Sequence, residues 1–78
     1  MEGRLKVEPN ERITMAAQSL MERHAIPKAQ LARTLGIAPA TLSRRLQGAA
    51  PWRVGEAFSL AYLCGVSFEE LLHGKKRD

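Results

Sequence analysis

Residues 31–44 read Leu-Ala-Arg-Thr-Leu-Gly-Ile-Ala-Pro-Ala-Thr-Leu-Ser-Arg, and several of these positions together point to two short helices crossing at a tight turn. Ala32 is small, as a helix must be where its partner crosses closely. Gly36 supplies the left-handed residue that ends a helix without a Cβ clash. Ile37 gives the turn an apolar residue to bury, and Leu42 anchors the second helix. Pro39 is preset for that helix's first turn. The opposite face of the second helix carries Pro39, Ala40, Ser43, Arg44 and Gln47, side chains that leave it free to approach another surface. The spacings agree at once, which a lone glycine motif does not offer.

The remaining segments supply a small core around this pair. Seventy-eight residues make one domain at most. Residues 1–9 read as an N-terminal arm: Arg4-Leu5-Lys6-Val7-Glu8 alternates polar and apolar residues until Pro9. The arm is either loose or a strand shared with a second copy. A first helix is expected from Asn10, a good N-cap, to about Arg23, with Ile13, Ala16, Ala17, Leu20 and Met21 forming one apolar stripe. Ile26-Pro27 breaks it. The second helix spans Lys28 to Leu35, and the third runs from Pro39 to about Gln47, closed by Gly48. After the Ala49-Ala50-Pro51-Trp52 loop, Val54, Ala57, Phe58, Leu60, Ala61 and Cys64 mark a fourth helix ending at Gly65. Its cap position holds Arg53, a poor cap, with Glu56 three residues on to reach back. Ser67-Phe68-Glu69-Glu70 is a capping box opening a fifth helix through Leu72. The expectation is an all-α fold of five short helices, with residues 10–74 as the domain and 75–78 as a basic tail.

Charge is distributed unevenly along this plan. Arg23, Lys28, Arg33, Arg44, Arg45 and Arg53 lie between residues 23 and 55, where there is no acidic residue. The rest of the chain holds six basic residues against eight acidic ones, a net of −2, so the formal +4 resides on the helical pair and its flanks. Such a surface attracts a polyanion, and a duplex with one phosphate charge per ~1.7 Å is the best match. The single cysteine, Cys64, has no internal disulfide partner and lies in an apolar run, which predicts a buried, inert thiol. No stretch approaches the ~18 apolar residues of a membrane span, and the N-terminus lacks the apolar core of a signal peptide. The chain reads as cytoplasmic. Catalysis would require clustered carboxylates or a histidine pair in a cleft; the acids are scattered, so an enzyme is not expected. His24 and His73 lack companions at metal spacing and read as surface imidazoles, so no metal and no cofactor is expected. Trp52 reads as a lid on the core. Tyr62 and Leu63 exceed the inward stripe of helix four; they are half-buried or they mark a partner surface.

The segment from Leu31 to Arg44 resembles the Cro and lambda-repressor-like helix-turn-helix family. The downstream Leu60-Ala61 and Gly65-Val66-Ser67-Phe68-Glu69-Glu70-Leu71-Leu72 are similar to the family's last two helices, so the resemblance covers about residues 10–74. It implies a compact five-helix domain that places its third helix in the major groove of double-stranded operator DNA. It also implies a regulator of the repressor or Cro type, of phage or prophage kind, and favours a two-fold dimer reading half-sites ~34 Å apart. The dimer surface is open among the fifth helix, the tail and the arm, and a monomer on an asymmetric site is the other case. Within this resemblance Arg44 is the residue for direct readout, since a guanidinium bonds guanine O6 and N7 together. Pro39 and Ala40 suit a thymine methyl, and Ser43 and Gln47 are adaptable donors and acceptors. Lys28 and Gln30 should meet phosphate, with Thr41, Arg45 and Arg53 as further phosphate contacts. Two departures stand out. The family usually places an apolar residue three after Leu42, where this chain has Arg45, predicted to reach outward to a phosphate or an acidic neighbour. The cap before the second helix is usually Ser or Thr, and here it is Pro27. The competing function is a protein-interaction module that keeps the fold and recruits a partner through Trp52, Tyr62, Leu63 or the arm. No membrane and no small-molecule substrate is expected in either case.

Overall fold

The computed structural model describes residues 2–73, with side chains from residue 9 onward. Five helices follow in order: α1 (Glu2–His24), α2 (Lys28–Leu35), α3 (Pro39–Leu46), α4 (Val54–Cys64) and α5 (Phe68–His73). The tail at 75–78 lies outside the described residues. Helix α2 spans the expected residues, α4 ends at Cys64 with Gly65 as its left-handed cap, α3 ends one residue earlier than expected, at Leu46, and α5 one residue later, at His73.

The beginning of the chain differs. Its backbone is helical from Glu2, so the alternating segment is neither a strand nor an extended arm, and Asn10 lies inside α1 rather than at its cap. A single strand without a pairing partner leaves its N–H and C=O groups to water, whereas a helix satisfies them within the segment. Pro9 sits inside this helix. Asn10 bonds to a distant loop instead of capping: its Oδ1 accepts the Trp52 backbone N–H at 2.8 Å. One turn later Thr14 Oγ1 accepts the Trp52 indole N–H at 2.9 Å. Trp52 is buried and closes the core as the sequence predicts, held there by two residues of α1.

The core draws on every helix. Ile13, Ala17 and Leu20 come from α1, Leu31 and Ala32 from α2, Leu42 from α3, Leu60 and Ala61 from α4, and Leu71 from α5. Leu31, Leu42 and Leu60, one from each of three helices, are fully buried. Ile37 and Leu46 are half-buried and pack against this cluster, as their positions after Gly36 and Leu42 require. Val54 and Phe58 depart from the expected inward stripe of α4: both are exposed. The buried side of α4 is already filled by Ala57, Leu60 and Ala61, and at 100° per residue Val54 and Phe58 fall on its edge.

The turn that sets the α2–α3 crossing closes as the sequence predicts. Gly36 has φ +76°, and its N–H reaches Arg33 O at 3.1 Å while the Ile37 N–H reaches Ala32 O at 2.9 Å. The pair of bonds ends α2 and aims Ile37 at the core. Helix α1 ends on the same kind of turn without a glycine: Ala25 has φ +51°, and the Ile26 N–H bonds Met21 O at 2.9 Å. At the far end the Ser67 capping box is formed in both directions, Glu70 N–H to Ser67 Oγ at 3.0 Å and Ser67 N–H to Glu70 Oε1 at 3.2 Å.

Candidate nucleic-acid interface

Helix α3 has one side in the core and one side in solvent. Leu42 is 0% exposed, whereas Pro39, Ala40, Arg44 and Gln47 are exposed and Thr41 and Ser43 are half-buried. The exposed side thus combines two small apolar side chains, a guanidinium and an amide. Gln47 is the C-cap residue, with helical backbone and its N–H bonded to Ser43 O at 3.0 Å, so it continues the α3 face rather than turning away.

The start of α2 adjoins this face. Pro27 is its N-cap, with extended backbone (φ −68°, ψ 152°) and no side-chain cap bond. Its carbonyl accepts from the Gln30 and Leu31 N–H groups. With no hydroxyl to cap the first turn, the N–H groups of Lys28 and Ala29 remain available, where the helix dipole favours an anion. Lys28 Nζ donates to Ser43 Oγ at 3.0 Å, so one expected phosphate residue and one expected base-reading residue are in contact across the two helices. An ammonium has three donors and no acceptor, so this bond leaves Lys28 further donors and leaves Ser43 its hydroxyl proton. Gln30 is exposed, and its carbonyl accepts the Thr34 hydroxyl at 3.1 Å.

Arg45 is the correction. Of the two roles the sequence permitted, a phosphate or an acidic neighbour, the structure assigns the acidic neighbour. Arg45 is 9% exposed, and its Nε and Nη2 donate to Glu56 Oε1 at 2.8 Å and Oε2 at 3.0 Å. The fork-to-fork geometry is the strong form of an ion pair. Hydrogen bonding to Glu56 holds the Arg45 guanidinium above its ordinary pKa, against the pull of burial. Burial pushes the Glu56 carboxyl up, but the bonds from Arg45 and the Arg53 amide and the charges of both arginines outweigh it, leaving the group below its usual value. The same Oε1 accepts the Arg53 N–H at 3.0 Å. Glu56 therefore reaches back to start α4, as expected, and in addition neutralises Arg45. The pair occupies the site where the family resemblance leads one to expect an apolar side chain. Sequence reasoning allowed Arg45 an acidic neighbour without naming Glu56, although both partners carried a signal: an arginine where an apolar residue belongs, and a lone acid on an otherwise uncharged helix.

The remaining basic residues are dispersed. Lys28, Arg33, Arg44 and Arg53 are exposed. Arg23 sits elsewhere, on a groove of about 440 Å³ between α1, the end of α4 and α5, whose apolar floor includes Leu20, Leu63 and Leu71. Cys64 lines that groove and is half-buried rather than buried; burial pushes its thiol up, against the opposing charge of Arg23, so it stays protonated near neutral pH. Among the described residues, no three of His, Cys, Asp or Glu come together as metal ligands would, and no helix is long and apolar enough to cross a membrane.

Residues 9–78 match the family model described as the BetR domain. It is a family of small helical domains, generally helix-turn-helix-like and regulatory in character. No curated protein and no solved structure matches the chain.

Proposed function

We propose, given that this chain belongs to the BetR domain family, that it is a sequence-specific, double-stranded DNA-binding transcriptional regulator of the repressor or Cro-like type. Its third helix enters the major groove of an operator, and the protein acts by occupancy, without enzymatic chemistry. The observation that carries this reading is the make-up of α3: Leu42 is fully inside, while Pro39, Ala40, Arg44 and Gln47 stand exposed beside the uncapped start of α2. A helix enters the major groove through side chains of this kind, small enough to allow approach and with one guanidinium to read a base.

In this reading Arg44 pairs with guanine, Pro39 and Ala40 lie against a thymine methyl, and Ser43 and Gln47 bond to base edges. Lys28, Gln30, Thr41 and Arg53 anchor the phosphates. Arg45 makes no DNA contact; it supports α3 from behind through Glu56. The test is selection of bound duplexes from a random pool, run with the wild type and Arg44→Ala. A sharp motif in the wild type that loses preference at one base pair in the variant is the expected result. No enrichment with either protein would overturn the reading.

A further inference from the structure

Two hydroxyls on the helical pair dispose of their protons differently. Thr34 donates to the carbonyl one turn back, Gln30 O, at 3.1 Å, the local bond by which a hydroxyl inside a helix satisfies itself. Ser43 makes no such bond among the described residues; its Oγ instead accepts from Lys28 Nζ at 3.0 Å. An ammonium has donors and no lone pair, so Ser43 cannot return its proton to Lys28. Ser43 is half-buried, on the edge of α3 that meets the start of α2. Its proton is therefore uncommitted beside the exposed face. At ~100° per residue, Ser43 lies within about 60° of Ala40 and Gln47 around the helix.

We propose that Lys28 is a positioning residue that makes Ser43 a hydrogen-bond donor. Ser43 then selects a base acceptor (guanine O6, thymine O4 or a purine N7) and rejects the exocyclic amino groups of adenine and cytosine. The inference rests on the DNA reading of α3 proposed above. Valence supports it first. A hydroxyl has one proton and two lone pairs, and Lys28 occupies one of the pairs. An amino group can use the second pair only if the proton finds another acceptor, and in the structure Ser43 makes no other bond among the described residues.

Charge acts in the same sense. A base edge that meets Ser43 also meets the field of the ammonium 3.0 Å from Oγ. That field attracts a carbonyl or ring-nitrogen lone pair and repels the hydrogens of an amino group. Without Lys28 the hydroxyl would rotate to suit either partner. Anchoring phosphate is compatible with this role. Two of the three ammonium N–H groups remain for the DNA backbone, beside the first turn of α2, which has no side-chain cap. One side chain thus ties the register set by a phosphate to the sense of a base contact.

The test is selection of bound duplexes with the full chain, followed by competition between the selected duplex and its single-pair variants. Wild type is compared with Ser43→Ala, Lys28→Met, Lys28→Arg and the double variant Lys28→Met with Ser43→Ala. Ser43→Ala identifies the base pair that Ser43 reads, as the one whose preference falls. Lys28→Met should lower preference at that same pair about fivefold, the net contribution of one hydrogen bond. The double variant should lower it no further than Ser43→Ala alone. Lys28→Arg also places a donor without an acceptor there and should retain the preference. Removing that pair's major-groove amino group should leave wild-type binding unchanged. Preference at the Arg44 pair and thermal unfolding should stay as in the wild type throughout, since Lys28 is exposed. A Lys28→Met variant that binds every duplex more weakly by one common factor would reduce Lys28 to a phosphate contact and overturn the inference. So would a loss of affinity on removing the amino group. Both of these outcomes leave the selected motif and its Arg44 pair in place, whereas no enrichment by the wild type overturns the DNA reading and this inference with it.

Discussion

The two sides of α3 hold consecutive arginines and use them in opposite ways. Arg44, on the outer side, is exposed and has no bonding partner among the described residues, so its donors are available to a ligand. Arg45, on the seam with α4, has given its fork to Glu56 and is 9% exposed. The difference shows that a count of basic residues along a chain is not a count of cations on a surface. One of the six charges between residues 23 and 55 is a structural part, and a second, Arg23, faces a groove distant in character from the α3 face. The electrostatic case for a polyanion rests on fewer residues than the sequence suggests, with Arg44 on the helix face that would read the bases and Lys28 in contact with it through Ser43.

The largest effect should come from breaking the seam. Glu56→Ala leaves a buried guanidinium unpaired and the Arg53 amide without its acceptor, and should cost about 3–5 kcal/mol in chemical denaturation. Arg45→Met together with Glu56→Leu removes both charges at once and should be far less harmful than the single change, since an apolar pair replaces the ionic one. If Glu56→Ala proved as mild as the double change, the seam would be no different from the outer side. The seam should also respond to acid. Because the Glu56 carboxyl is held below its ordinary value in the folded state, its contribution is complete above the unfolded pKa of ~4.3 and is lost as pH falls through the lower folded value. Unfolding free energies of wild type and Glu56→Gln should therefore converge below that range and stay separated at neutral pH.

The outer side should show the reverse pattern. Arg44→Ala should leave stability within about 0.5 kcal/mol and cost about 1–3 kcal/mol of discrimination at one base pair, read by competition between duplexes. A smaller effect belongs to Lys28. With about four phosphates contacted, the log–log dependence of affinity on salt should have a slope of about −3.6, and Lys28→Ala should reduce its magnitude by about 0.9. The Arg45→Met and Glu56→Leu double variant should leave that slope unchanged, which separates the two arginines by a measurement other than stability. The smallest expected effect lies away from both sides. Ala25 holds φ +51° at the end of α1, so Ala25→Gly should raise stability by about 0.5–1 kcal/mol in thermal unfolding.

Much of this architecture was legible in the residues because it depends on local chemistry. Gly36, Gly65 and the Ser67–Glu70 box act on their own neighbours, and periodicity alone identifies Leu31, Leu42 and Leu60 as inward. What escaped the sequence depends on distant partners. Asn10 is a fine cap by composition, but its carboxamide is taken by Trp52, 42 residues on. Arg45 and Glu56 are 11 residues apart and meet only because α3 and α4 fold together. Val54 and Phe58 fit an inward stripe by type, yet a helix this short has room for only one buried edge. The candidate reading face was legible in composition and position; the contact between Lys28 and Ser43 within it was not, since no spacing rule links them.

Trp52 gives the molecule an optical readout of its own architecture. It is the chain's one tryptophan, buried between the α3–α4 loop and α1 with its indole N–H held by Thr14. Its fluorescence therefore reports one event, the seating of α1 against the rest of the domain. Emission should shift to the red when α1 lifts away. It should hold its wavelength when a ligand settles on α3, so a single titration distinguishes a protein that has bound from one that has come apart.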